Sequence, residues 1–273
     1  GWTTLILILI VTLLPFVWAI RTALTPNSQI FNGDYSLIPT DASWINFKAG
    51  TRICNHRRRL SGRRIRGQRF YFWLYLRNSL IFTSILVLGQ VVTSTMSAYA
   101  FARLHFPGRD KIFAILSQDD DSPDFHRATE LCINKNLGLL NTFTGLLAPY
   151  VLVSPFAIFF LRQFFLSIPR EVEEAALLDG ANRWTIFSKV IVPICKSPIT
   201  TIAIIQAVFA WNEYLWPQLV GKEHAVRLLN VALATFQQAS PSTKPDWAGL
   251  MAAATLQTIP MLIFTFSSWE ETS

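Results

Sequence analysis

The sequence predicts an all-α, polytopic membrane helix bundle, and three observations carry that prediction. Of the 273 residues, 51% are hydrophobic and only 15% charged, with a mean hydropathy of +0.35; soluble domains carry about 25% charged residues. The apolar residues gather into runs at 2–20, 79–101, 143–165, 200–219 and 246–266, and a membrane-crossing helix needs about 20 residues. Between the third and fourth runs lies a polar, amphipathic stretch, Glu174 to Pro193, with the pattern of a water-facing helical hinge.

The run at 2–20 holds Pro15, with Trp2 and Trp18 near its ends as interfacial anchors. It lacks a basic leading region, and Ala19-Ile20-Arg21 is a poor cleavage site, so a retained helix is expected, preceded by cytoplasmic residues not contained in this sequence. Asn27 to Phe47, with Gly33 and Pro39, reads as an extracytoplasmic loop. The second run, Ser79 to Phe101, contains no charge, and Arg103, Arg109 and Lys111 place its exit in the cytoplasm by the positive-inside bias. Ile112 to Leu116 begins another apolar run, but Asp119, Asp120, Asp121, Pro123, Asp124, Arg127 and Glu130 follow. Charges at a helix centre cost about 2.5–3.5 kcal/mol each, so this segment is not expected to span. The aspartates lack the D-x-D-x-D-G spacing of a calcium loop.

In the run Phe143 to Phe165, Pro149 and Pro155 predict kinks, and Arg162 and Arg170 mark a cytoplasmic end. Thr200 to Leu219 is the next expected span. Gly221 to Pro245 reads as a polar outer loop, and Asp246 to Phe266, including Pro260, as the last span.

Within the hinge, Ser167 is expected to cap a helix, Pro169 to occupy its first turn, and Glu171, Glu173 and Glu174 to favour its positive end. Val172, Ala175 and Ala176 fall on one face, and Gly180 suits the left-handed residue that stops a helix. A second short helix is expected from Asn182, with Trp184, Phe187 and Ile191 on one stripe and Pro193 as its end. Small alanines beside an exposed acid describe a helix that another surface can approach closely. A second polar cluster, Trp211-Asn212-Glu213-Tyr214-Leu215-Trp216-Pro217, lies in the span that follows. Indole faces suit sugar C–H surfaces, while Asn and Glu can hydrogen-bond hydroxyls; an aromatic belt with a solvated Glu213 is the competing reading.

The order Glu-Ala-Ala, Gly180, Val190 and Val192-Pro193 resembles the EAA loop of ABC importer permeases, with valines where that family usually has Ile and Leu. Asn78-Ser79-Leu80, Ala98-Tyr99-Ala100-Phe101-Ala102-Arg103, Phe106-Pro107-Gly108-Arg109, Leu137 to Thr142 and the Trp211–Pro217 cluster are similar to its carbohydrate-type members. The resemblance implies a type I ABC importer permease with nominally six transmembrane helices, the third disrupted here. It places the ATPase-docking residues at Glu174, Ala175, Ala176, Gly180 and Pro193, and a solute path at Trp211, Asn212, Glu213, Tyr214 and Trp216. The implied partners are a second permease subunit, cytoplasmic ATP-binding subunits and an extracytoplasmic solute-binding protein. The implied site is a bacterial or archaeal inner membrane. ATP belongs to the partner subunit, and this chain is expected to bind no cofactor.

What is missing narrows the function further. No G-x-x-x-x-G-K-[ST], H-E-x-x-H, C-x-x-C or G-x-S-x-G occurs, and Cys54, Cys132 and Cys195 lack metal-ligand spacing. Neither an enzyme nor a metal site is expected. Much of the net charge of +7 comes from eight arginines between Arg52 and Arg69, without a nucleic-acid-binding signature. Two alternatives stay open. An ion-coupled secondary transporter would keep ionisable groups near the membrane midplane, and apart from Glu213 the well-formed spans have none. A non-transporting or defective product is the other, motivated by 50–69, 117–136 and 267–273, which read like frame-shifted segments.

Overall fold

The computed structural model describes residues 2–30, 44, 46–47, 71–118, 123–152, 154–239 and 247–270. Among them the regular structure is helical: α1 (Trp2–Leu24), α2 (Asn27–Ile30), α3 (Phe72–Arg103), α4 (Arg109–Gln118), α5 (Pro123–Asn136), α6 (Phe143–Leu147), α7 (Pro155–Ser167) and α8 (Arg170–Leu178). Then follow α9 (Arg183–Thr185), a π-helical turn (Ile186–Ile191), α10 (Val192–Ile194), α11 (Lys196–Asn212), α12 (Leu215–Val220), α13 (Leu229–Ala239) and α14 (Trp247–Glu270). Three described helices are long and apolar enough to cross a bilayer: α1, α3 and Trp247–Ser267 of α14. A bent pair, Arg183–Ile194 with Lys196–Val220, passes the same test as one broken span. The expected first, second and last spans therefore coincide with α1, α3 and α14. The apolar side chains of α1 are exposed along its length, as lipid-facing groups are.

The chain divides into two compact units. The first comprises 1–78 and 227–262. Its core joins Phe72 and Tyr75 of α3 to Leu229, Ala232 and Leu233 of α13 and Ala253 of α14. Asn78 donates from Nδ2 to the Arg227 carbonyl at 3.1 Å, and Gln257 hydrogen-bonds Asn230. Here the structure corrects the sequence reading. Part of the polar loop Gly221–Pro245 is the helix α13, because Leu229, Ala232 and Leu233 form an apolar stripe at helical spacing.

The second unit comprises 79–226 and 263–273. Its core gathers Ala98, Tyr99, Phe101 and Ala102 of α3, Ala157, Ile158, Leu161 and Phe165 of α7, and Ile186, Phe187, Ile191, Cys195 and Ile202. A second correction falls in this unit. The expected span 143–165 is not one kinked helix; it is broken into α6 and α7. Pro155 takes the first turn of α7, where its missing N–H costs nothing, and Ser154 caps that helix by accepting from the Ala157 N–H. A residue ahead of proline is pushed out of the helical region, so the chain breaks where a smooth kink was expected. Backbone that leaves a helix at membrane depth must find partners within the protein. Gln90 supplies one, donating from Nε2 to the Tyr150 carbonyl at 2.7 Å. Gly89 makes room: a Cβ there would stand 2.6 Å from the Val151 carbonyl oxygen.

Where the resemblance puts a third crossing, the chain forms the short helices α4 and α5. Asp119, Asp120 and Asp121 lie outside the described residues, as do the arginine cluster at 52–69 and residues 271–273.

Candidate functional site

The hinge is built from α8 and the elements up to α11. Its first helix begins one residue after Pro169, which stands at the cap position without a side-chain cap bond. Ser167 does not cap it; that hydroxyl donates back to the Phe164 carbonyl at the end of α7. The exit of α8 follows the expected design. Gly180 has φ +82, its N–H donates to the Leu177 carbonyl, and the Ala181 N–H donates to the Ala176 carbonyl, both at 3.0 Å. Those two bonds are the Schellman pattern, which satisfies the last carbonyls of a helix. Among the described residues no atom beyond the chain neighbours lies within 4 Å of a Cβ at Gly180, so the backbone angle, not crowding, selects glycine.

Asn182 opens the next helix, its Oδ1 accepting from the Thr185 N–H at 2.8 Å and the Thr185 hydroxyl at 2.9 Å. Pro193 does not end this helix; the chain continues through α10 to Ile194 and turns by 78° about Cys195 into α11. A proline ring clashes with the carbonyl four residues back in a regular α-helix. The wider π turn at Ile186–Ile191 sits immediately ahead of Pro193 and relieves that conflict.

The faces of the hinge divide cleanly. Val172, Ala176, Ala181 and Val192 pack against the core of the second unit. Glu174, Ala175, Leu177 and Leu178 are exposed, Leu178 to 90%, and so are Gly180, Trp184, Pro193 and Ile194. Ala175 thus faces away from Val172 and Ala176, contrary to the single face expected, because the side of α8 carrying Glu173 is taken up internally. Glu173 Oε1 lies 3.1 Å from Arg103 Nε, with side chains 14% and 5% exposed. The Nε–H is not aligned on that oxygen, so the pair is a charge contact and not a well-formed hydrogen bond. Breaking a buried ion pair from one side costs about 3–5 kcal/mol. The sequence reading missed this pair, since 70 residues separate its members and Glu173 looks equivalent to Glu174.

The second cluster sits at the end of α11, where the helix stops at Asn212 and restarts at Leu215. Asn212 is exposed and donates from Nδ2 to the Val208 carbonyl at 2.8 Å. Glu213 is half-buried, and its Oε1 accepts from the Trp216 N–H at 3.2 Å, steadying the start of α12. Tyr214 is half-buried, whereas Trp211 and Trp216 are buried. Trp216 meets Tyr150 edge-on at 6.3 Å, and its indole N–H has no hydrogen-bond partner among the described residues. The motif is therefore first a break in a helix, with one tryptophan packed on each side of it.

Residues 66–269 match the family model of the binding-protein-dependent transport system inner membrane component. The chain belongs to that family. It is similar to the trehalose transport system permease protein SugB of Mycobacterium tuberculosis, with 33% identity over 92% of this chain and 86% of that protein. It is also similar, at 28% identity, to the diacetylchitobiose uptake system permease protein NgcG of Streptomyces coelicolor, over 95% of this chain and 80% of NgcG. The sn-glycerol-3-phosphate permease UgpE of Yersinia pestis matches at 28% over 95% of this chain and 88% of that protein. In fold it matches a solved bacterial ABC transporter involved in the import of the acidic polysaccharide alginate, with a TM-score of 0.81 and 20% identity over 99% of this chain and 94% of that one. An inner-membrane transport permease is thus a multi-pass membrane protein, in keeping with α1, α3 and α14. The hinge and the Trp211–Pro217 break both lie inside the matched region.

Proposed function

We propose that this permease forms part of the path for a sugar or a related polyol-containing solute, and that a separate cytoplasmic ATPase drives it through the hinge. The carrying observation is the outward ridge of Glu174, Ala175, Leu177, Leu178 and Trp184 on a helix pair with a fixed corner. Leu178 is a large apolar group outside the apolar spans, Trp184 stands exposed at the start of the bent pair, and exposed apolar groups rimmed by charge mark a protein-binding surface. Glu174 supplies a carboxylate for a cationic group of the ATPase, Ala175 allows close approach, and Ala176, Gly180 and Pro193 hold the shape. ATP bound by the partner closes the ATPase pair, moves this element, and rocks the spans between inward- and outward-open states.

The solute class rests on the relatives, whose names refer to trehalose, diacetylchitobiose and sn-glycerol-3-phosphate, and on the chemistry of the helix break. Asn212, Glu213 and Tyr214 offer hydroxyl-binding groups, with Trp211 and Trp216 as the packed wall behind them. A second permease subunit completes the path, and an extracytoplasmic binding protein delivers the solute in a bacterial or archaeal inner membrane. Cysteine cross-linking from Leu178→Cys in the assembled transporter tests the docking: it is expected to capture an ATP-hydrolysing subunit. A hinge reachable only from outside the cell would sink the reading. The ligand retained by the co-purified binding protein reports the solute, and an amino acid or metal ion there would overturn the sugar assignment.

A further inference from the structure

Arg103 is the last residue of α3, and the hinge pattern does not include it. Its side chain is nonetheless buried, and its guanidinium meets two other elements at once. One terminal nitrogen donates to the carbonyls of Phe165 at 2.6 Å and Ile168 at 2.5 Å, and Nε lies 3.1 Å from the Glu173 carboxylate. Phe165 and Ile168 stand at the end of α7, where helix carbonyls lack partners and the macrodipole favours a cation. Glu173 lies in the first turn of α8. One residue thus joins the ends of three helices: α3, α7 and α8. Arg162 of α7 returns the exchange, donating from Nε to the Phe101 carbonyl at 3.4 Å with its guanidinium 4.3 Å from the Phe113 ring. Planar guanidinium groups, with several donors in a fixed fork, suit such many-sided contacts better than an ammonium does.

The apolar attachment of α8 is slight by comparison. Val172 and Ala176 are only partly buried, and no residue of α8 is fully so. The orientation of this helix against the spans therefore depends on the charged joint at its start. We propose that Arg103 is a positioning residue for energy coupling, holding α8 to α3 and α7 so that force applied to the hinge moves all three as one body. The proposal rests on the docking reading above. Glu173 and Glu174 then divide the work: the first anchors the helix inward, and the second is left for the partner.

The test uses the complete transporter in nanodiscs, with Cys54 and Cys132 changed to serine and spin labels at Gln163→Cys and Asp179→Cys, a position outside the docking ridge. Both labelled positions are exposed, while Cys195 is buried. The probe is MgATP with vanadate. With Arg103 and Glu173 intact, the label-to-label distance distribution is expected to stay the same with and without the probe. In Glu173→Gln and Arg103→Met it is expected to shift when the probe is added, as the hinge follows the ATPase and the spans lag, while ATP hydrolysis continues. A distribution unmoved in both variants overturns the joint. So does a broadening equal with and without nucleotide, which marks a merely structural role. Should Arg103→Met fail to accumulate, the nearly isosteric Glu173→Gln decides alone. If the unsubstituted transporter carries no ATPase on its hinge, the docking reading itself has failed and takes the joint with it; a complex that hydrolyses ATP with unmoved distances removes the joint alone.

Discussion

Replacing Gly180 separates two explanations of a helix corner. At φ +82 a residue with a Cβ pays about 1–2 kcal/mol, and a β-branched residue in so sparsely populated a region falls toward the upper part of about 1–3 kcal/mol. Among the described residues nothing stands in the way of a Cβ, so the angle sets the internal penalty. A strain of 1–2 kcal/mol changes the ratio of formed to opened corner by about 5–30-fold. The opened form loses the Gly180–Leu177 and Ala181–Ala176 bonds, and with them the direction in which Asn182 starts the next helix. Asn tolerates the left-handed region better than other non-glycine residues, so the expected order of coupled ATP hydrolysis is Gly, then Asn, Ala and Val. Membrane insertion stays intact throughout. The measurement is solute-stimulated ATP hydrolysis by the assembled complex, beside amide hydrogen exchange at 176–182. If Val proves as active as Gly, the corner does not matter to coupling. If Asn and Val are equally poor while exchange is unchanged, the cause is a clash with the partner and not backbone strain.

Four further outcomes follow from the contacts described. Gly89→Ala pushes a methyl to 2.6 Å from the Val151 carbonyl, and overpacking of this kind costs about 1–3 kcal/mol; a lowered melting temperature in detergent checks it. Phe165→Ala, at a fully buried site, is expected to lose about 3–5 kcal/mol, seen as poor accumulation or early thermal unfolding, whereas exposed Leu178→Ala leaves the melting temperature unchanged and weakens ATPase co-purification. Glu213→Gln keeps an oxygen to accept the Trp216 N–H, while Glu213→Ala removes it at a cost of about 1 kcal/mol; transport lost in both, with stability lost only in Ala, assigns the carboxylate to the solute. Gln90→Leu strips the Tyr150 carbonyl of its partner at about 1–3 kcal/mol, and an unchanged melting temperature would mean that another group or water replaces it.

Much of this molecule was written locally. The apolar runs that became α1, α3 and α14 needed no tertiary information, because a bilayer sets both their length and their lack of charge. The Gly180 corner and the Asn182 cap were equally legible, since the bonds that make them join residues three to five apart. The sequence was less informative wherever a local rule had two outcomes. Prolines at 149 and 155 allowed a kink or a break, and the break depends on Gln90 and Gly89, some 60 residues away, to satisfy and admit the freed backbone. The stripe in α13 was hidden among turn-forming residues until Phe72, Tyr75 and Ala253 gave it a surface to cover.

Family membership and the chemical character of the hinge come from residue order, because capping, helix period and hydropathy act over a few positions. Which carboxylate of Glu173-Glu174 turns inward was decided only by the tertiary structure. Two neighbouring acids on an amphipathic helix have the same local energy; a buried guanidinium brought from the end of another helix breaks that equivalence and leaves one of them facing outward.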